Sequence, residues 1–131
     1  MHEYHISLLS IALAALINLW LMIRCGRART TAKIAHGDGG DVALGRHMRA
    51  HSNFVEYTPI AMLLVLVLEL SGQAGWLLAM TSLAFLLGRV LHPLGMQADK
   101  PGALRLVGTL ATVVCYLILG VWAALVAFQL V

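Results

Sequence analysis

The chain has 131 residues, of which 60% are hydrophobic and 11% charged, with a formal net charge of +3 and a mean hydropathy of +0.86. That is enough chain for one domain, and too apolar for an ordinary soluble protein, in which about a quarter of the residues are charged. The basic excess lies on one side of the layout derived below, so it indicates membrane topology and contact with anionic membrane lipid, and no nucleic-acid partner.

A helix needs about 20 mostly apolar residues to cross a hydrocarbon core of roughly 30 Å. Four segments qualify. The first is ISLLSIALAALINLWLMI, from Ile6 to Ile23. Its leading flank, HEYH, has no Lys or Arg, and a basic run, RCGRAR, follows where a cleavage site would lie, so it reads as a retained helix and not a signal peptide. The connection TTAKIAHGDGGDVAL comes next. HGDGGD is turn chemistry, and Asp41 is placed to cap the following helix. The second span is the apolar part of a longer helix, Phe54 to Leu70, and SGQAG is a tight turn. The third span runs from Ala74 to Gly88 and on through Arg89 to Leu91, and HPLGMQADKPG stops it. The fourth, Leu106 to Val131, carries no charge. The expected fold is an all-α, integral membrane four-helix bundle. It forms a single domain, 1–131, with helices at about 5–25, 44–71, 74–92 and 103–131.

Orientation follows from the nine Lys and Arg residues, all of which fall near the first or third connection. The positive-inside rule puts those connections in the cytoplasm and both termini outside. Cys25 lies at the cytoplasmic end of the first helix, and Cys115 lies about 15 Å deeper in the fourth. A disulfide needs Cα atoms within about 7 Å, so both are read as unpaired. His2, His5, His36 and His47 show no metal-ligand spacing, and no metal site is expected. Asn18, inside the first helix, is expected to make an interhelical hydrogen bond. Glu69, at the far end of the second helix, is expected to be solvated. Trp20, Trp76 and Trp122 suit interface belts.

The stretch RHMRAHSNFVEYTP, residues 46–59, departs most from this apolar background. At about 100° per residue, Arg46, Arg49, Asn53 and Glu56 fall within an arc of about 80°, with His51 off it, suited to packing or a subunit contact. Ionisable groups in a membrane segment face a bundle interior or a wet cavity, and they pair. Arg offers a planar fork for carboxylates, Asn a donor and an acceptor, and Glu an acceptor for an ammonium. The stripe therefore suits a small zwitterion, or else a salt-bridged network that only joins helices. GRVLH places Arg89 and His92 on one face at the end of the third helix, and Arg105 opens the fourth. So many cations make poor glue without an anion or Glu56 among them, which favours a ligand site.

This motif resembles the signature of the MAPEG family (membrane-associated proteins in eicosanoid and glutathione metabolism). The match runs through Arg46, Arg49, Ala50, His51, Asn53, Glu56 and Pro59. GRVLH and Arg105 resemble the family's third-helix ending and fourth-helix start, and the GDGGD loop and NFVEYTPIAMLL look like its bacterial branch. The resemblance implies a homotrimer, in a bacterial inner membrane, that binds glutathione between subunits near the cytoplasmic face. Arg49, Asn53 and Glu56 would hold the peptide's charged ends and His92 would line the pocket. Arg46 and Arg89 belong to the same basic cluster, and Arg24 or Arg27 would contribute from the first helix. Arg105 would lie near the thiol as a fixed charge that favours the thiolate. Some members carry tyrosine where this chain has Met96 and Thr109, and arginine where it has Ser52. The implied activity is therefore a general glutathione-dependent transferase or peroxidase, with a detoxification role, and not eicosanoid synthesis. Its partner substrate would be a hydrophobic electrophile or a lipid hydroperoxide. A non-catalytic membrane protein that binds glutathione, lipid or a protein is the alternative. A small four-helix exporter ranks lower, because the first helix carries Asn18 and no acidic residue.

Overall fold

The computed structural model describes residues 4–100 and 102–131. His2 and Pro101, both used in the reading above, lie outside them. The chain forms helices α1 (His5–Ala32), α2 (Val42–Leu68), α3 (Trp76–Gly95) and α4 (Ala103–Ala127), and a π-helical turn, Glu69–Gln73, extends α2. All four helices are long and apolar enough to cross a membrane. Leu8, Leu16, Leu63, Leu87, Leu110 and Leu117 stand exposed on the outer surface, as expected of a surface solvated by lipid tails. Phe85, Leu44, Leu68, Leu78, Leu119 and Val65 fill the interior.

α1 continues past Cys25 to Ala32. Hydropathy marks where the bilayer ends, and the helix ends later. Lys33 closes it in the left-handed region (φ 56°), donating its backbone N–H to the carbonyls of Arg29 and Thr30. The Arg29 guanidinium then donates to the carbonyls of Ile34 (3.2 Å), Ala35 (3.2 Å) and Gly37 (2.9 Å). It thereby holds the first connection against the helix that precedes it. Asp41 caps α2 as its chemistry predicts, its carboxylate accepting from the Leu44 N–H at 2.7 Å. Asn18 makes its interhelical bond, 2.9 Å to Nε2 of His51. Both cysteines are free.

Two expectations require correction. α3 ends inside the HPLGMQADKPG stretch, but at Gly95 and not at 92, with Pro93 within the helix. Proline removes one backbone donor, and that loss is too small to end a helix packed along α4. Glu69 is not solvated: it is 6% exposed. Its carboxylate accepts from the backbone N–H groups of Ile6 (3.0 Å) and Ser7 (2.8 Å), and from the Ser7 hydroxyl. The first amides of a helix have no partners within it, and a carboxylate there is favoured by the helix dipole. α1 has no side-chain cap of its own, so the end of α2 supplies one. Ser10 donates to the Ile6 carbonyl (2.6 Å) and accepts from Ser82 (2.6 Å), which ties α3 to the same corner.

Replacing Glu69 with Ala strips these amides of their acceptor. Hydrogen bonds to a charged group contribute about 1.5–3 kcal/mol each, so Glu69→Ala should clearly lower the thermal midpoint in detergent. Glu69→Gln, which keeps one acceptor oxygen, should lower it less. Equal midpoints for wild type and Glu69→Ala would show that the carboxylate does not cap α1.

Candidate functional site

The second-helix stripe divides into three kinds of contact. Arg46 turns to the connection after α3, donating to the Gln97 carbonyl (2.9 Å) and to Asp99 (2.5 Å). Arg49 pairs with Glu56 at 3.1 Å, with side chains 62% and 46% exposed. So exposed a pair is worth at most about 1 kcal/mol, which leaves both groups available to another partner. Asn53 points inward, and its Oδ1 accepts from Nη1 of Arg89 at 2.7 Å.

Arg89 is the centre of the buried polar network. It is 2% exposed. Beyond Asn53, its Nη2 donates to the Gly108 carbonyl (3.3 Å) and to the Thr112 hydroxyl, which itself donates to that carbonyl at 2.8 Å. The guanidinium carbon lies 5.8 Å from the centroids of both Tyr57 and Phe85. Tyr57 packs edge-on against Tyr116 (5.9 Å), whose hydroxyl donates to the Tyr57 carbonyl. Against this network lies a cavity of about 90 Å³, lined by Asn53, Tyr57, Arg89, His92, Thr109, Thr112 and Val113.

The geometry depends on a close seam between α3 and α4. A Cβ on Gly108 would stand 2.7 Å from both the Gly88 carbonyl and the His92 nitrogen, and one on Gly88 would stand 2.8 Å from the Ala111 Cβ. A Cβ on Gly95 would overlap the backbone N and Cα of Arg105. Small residues that let backbones approach are what join helices where lipid removes the hydrophobic incentive. Here they set His92 and Arg89 against Thr109 and Thr112, and they fix where Arg105 leaves the bundle.

Of the residues singled out from sequence, Asn53, Arg89 and His92 line the cavity. Arg49 and Glu56 stand outside it on the α2 stripe. Arg105 is exposed at the start of α4, where its carbonyl accepts from the Thr109 hydroxyl at 2.9 Å. Arg46 is occupied by the connection. On α1, Arg24 lies over Trp20 at 4.9 Å and Arg27 is exposed; α1 supplies no residue to the cavity lining. Tyr57 and Thr112 were not singled out. Tyr57 lies one turn beyond Asn53 and Thr112 two turns beyond Arg105, so extending each polar face by helical period would have found them. Among the described residues, no group of three or more His, Cys, Asp or Glu stands ready to hold a metal.

Comparison with known proteins agrees with this architecture. Residues 7–125 match the MAPEG family. The chain is 36% identical, over 92 residues, to the inner membrane protein YecN of Escherichia coli K12, a match that covers 70% of each protein; YecN of the O6:H1 strain matches equally. No solved structure matches the chain. The protein is a four-helix membrane protein, and it belongs to the MAPEG family.

The seam yields a direct prediction. Gly95→Ala forces the start of α4 away from α3, and overpacking of this kind costs about 1–3 kcal/mol. The expected result is a lower thermal midpoint in detergent. Gly120→Ala, in the middle of α4 with nothing within 4 Å, should leave it unchanged or raise it, since Ala favours helix over Gly. Equal effects of the two substitutions would refute close packing as the constraint at Gly95.

Proposed function

We propose that this protein is a membrane-embedded, glutathione-dependent transferase or peroxidase that acts on hydrophobic electrophiles or lipid hydroperoxides. The observation that carries the reading is the cluster of Asn53, Arg89 and His92 around a small cavity, inside a bundle whose outer surface is apolar. Such groups at membrane depth mark a functional site by default. Glutathione brings two carboxylates, an ammonium and a thiol. Arg49 and Glu56, opposite in charge and both accessible, suit a carboxylate and the ammonium. Asn53 and His92 line the cavity, and Arg105 stands at the exposed start of α4. Arg46, by holding the Gln97–Asp99 segment, positions the connection that leads to Arg105.

A cavity of about 90 Å³ cannot hold a whole tripeptide, so most of the ligand lies along the α2 stripe. A charged stripe on a membrane helix needs cover, and a neighbouring subunit of a homotrimer would supply it. Arg24 or Arg27 of that neighbour would then complete the site. The protein resides in the bacterial inner membrane, like its E. coli relative. The basic first and third connections are cytoplasmic, both termini are outside, and anionic lipid surrounds the basic end.

The thiolate attacks an electrophilic carbon, or the terminal oxygen of a hydroperoxide, and the substrate arrives through the bilayer where apolar compounds concentrate. One observation favours a second reading, a glutathione-binding protein without turnover: Thr109 lines the cavity where some relatives carry tyrosine.

Glutathione titration by thermal shift on detergent-purified protein tests the site, because a ligand that binds only the folded state raises its apparent stability. Saturable stabilisation is expected for wild type and should be lost in Arg49→Ala. No shift up to about ten millimolar, where binding of even ~1 mM affinity is evident, would exclude the glutathione site. Conjugation of an apolar aryl halide, or reduction of a fatty-acid hydroperoxide, then separates enzyme from binder.

A further inference from the structure

Arg24 carries a charge that the chain leaves unpaired at the edge of the first apolar span. The described carboxylates are all engaged elsewhere: Asp38 with the Gly40 N–H, Asp41 with the Leu44 N–H, Glu56 with Arg49, Glu69 with Ile6 and Ser7, and Asp99 with Arg46. Nη1 of Arg24 is enclosed and has no acceptor. Nε and Nη2 meet no acceptor among the described residues and are not enclosed. The guanidinium does not swing free, because Trp20, one turn deeper, places its ring centroid 4.9 Å from the guanidinium carbon. His47 of α2 lies within reach of the charge. A charge in a membrane segment is retained where it is paired, so this seat is complete only when an anion joins it.

The helix face that bears Arg24 limits what that anion can be. At about 100° per residue, Ile6, Leu9, Leu13, Trp20 and Arg24 fall within an arc of about 60°. Ile6, Leu9 and Leu13 line a mostly apolar groove of about 280 Å³ with Ala79, Leu83 and Leu86 of α3. On α3 the same face continues by helical period through Val90 to Leu94, which is exposed. Leu9, Met80 and Leu83 are exposed too, so the seam opens to lipid. From Arg24 to Leu13 the rise is about 16 Å. That is half of a hydrocarbon core of roughly 30 Å, and thus one leaflet. The seam runs from an open guanidinium edge, past a tryptophan, into an apolar groove. A free anion would use only its charged end, whereas a phospholipid uses its whole length.

We propose that Arg24 and Trp20 form a retention site for one anionic phospholipid in the leaflet at the basic end. Its phosphate sits on the Nε–Nη2 edge of Arg24, and an acyl chain lies along the α1–α3 seam toward Leu13. That edge presents two parallel N–H donors, the fork that suits a phosphate's oxygens. The net negative charge of the lipid matches a cation that has no counter-charge in the chain. Trp20 supplies the amphipathic ring found at the headgroup level, and by fixing the guanidinium it lowers the entropy lost on binding. Arg27 is exposed and meets the membrane surface only diffusely. The site is separate from the glutathione reading, since α1 lends nothing to the cavity beside Arg89. It takes Arg24 out of the pair proposed above to reach a neighbouring subunit.

The test is thermal shift of delipidated, detergent-purified protein titrated with phosphatidylglycerol, phosphatidylcholine or inorganic phosphate, with native mass spectrometry to count retained lipid. Phosphatidylglycerol should raise the midpoint saturably, with one molecule retained per chain, in wild type and in Arg27→Gln. Arg24→Gln should lose both effects. Without lipid its midpoint should be no lower than that of wild type, because it gives up an unpaired charge, so a lost rise reports lost binding and not misfolding. Arg24→Lys, which keeps the charge without the fork, should keep part of the rise. An equal rise with phosphatidylcholine, or one with inorganic phosphate alone, would overturn the assignment to an anionic lipid. A rise that survives in Arg24→Gln, or is absent from wild type, would overturn the site itself.

Discussion

The bond from Arg89 to Asn53 fixes more of this protein than any other contact. In lipid, an apolar side chain gains little by leaving its neighbours for another helix, because hydrocarbon tails solvate it equally well. What distinguishes one arrangement of four apolar helices from another is close backbone packing and the few polar groups that must find partners. Arg89 reaches from α3 to Asn53 on α2, and to Gly108 and Thr112 on α4. One guanidinium thereby sets the register of three helices. The glycines at 88, 95 and 108 bring α4 near enough for those bonds to form.

That dependence explains why the stripe on α2 is not a uniform feature. Its four polar residues lie on one helical face, yet each answers to a different neighbour. Arg46 meets the connection after α3, Arg49 and Glu56 meet each other, and Asn53 meets Arg89. Exposure, more than depth, separates these roles. Near the end of the helix the Arg46 guanidinium reaches a backbone carbonyl of a loop. Arg49 and Glu56 are exposed and pair with each other, while Asn53, which lies between them in the chain, faces inward and meets the buried Arg89.

The sequence carried the spans, the Asp41 cap and the Asn18 bond legibly, because hydropathy, cap chemistry and a polar residue on an apolar face are local signals. It also placed Asn53, Arg89 and His92 on faces that could converge. The length of α1 was hidden because a helix of Arg, Ala and Thr outside the bilayer has no hydrophobic period to mark it. Glu69 was misread because its partners, the amides of Ile6 and Ser7, lie at the other end of a hairpin and have no side-chain signature. The role of Gly95 was equally silent. Beside Pro93 it looks like a terminator, and only the approach of Arg105 shows that its missing Cβ is what matters. Tyr57 and Thr112 were legible in principle, since each continues a polar face by whole turns.

The cap that Glu69 places on α1 also bears on how the protein is made. The acceptor lies 62 and 63 residues after the amides it serves. When α1 enters the membrane its leading amides have no acceptor of their own, and none arrives until the far end of α2 has been delivered to the same side. The two helices thus mature as a pair, and α1 alone is an unfinished insertion intermediate. In the proposed orientation the carboxylate crosses the hydrocarbon to reach its station, a passage that costs several kcal/mol for an acidic side chain. Biogenesis, more than the finished fold, therefore bears the expense of this acidic residue at the end of an otherwise apolar run.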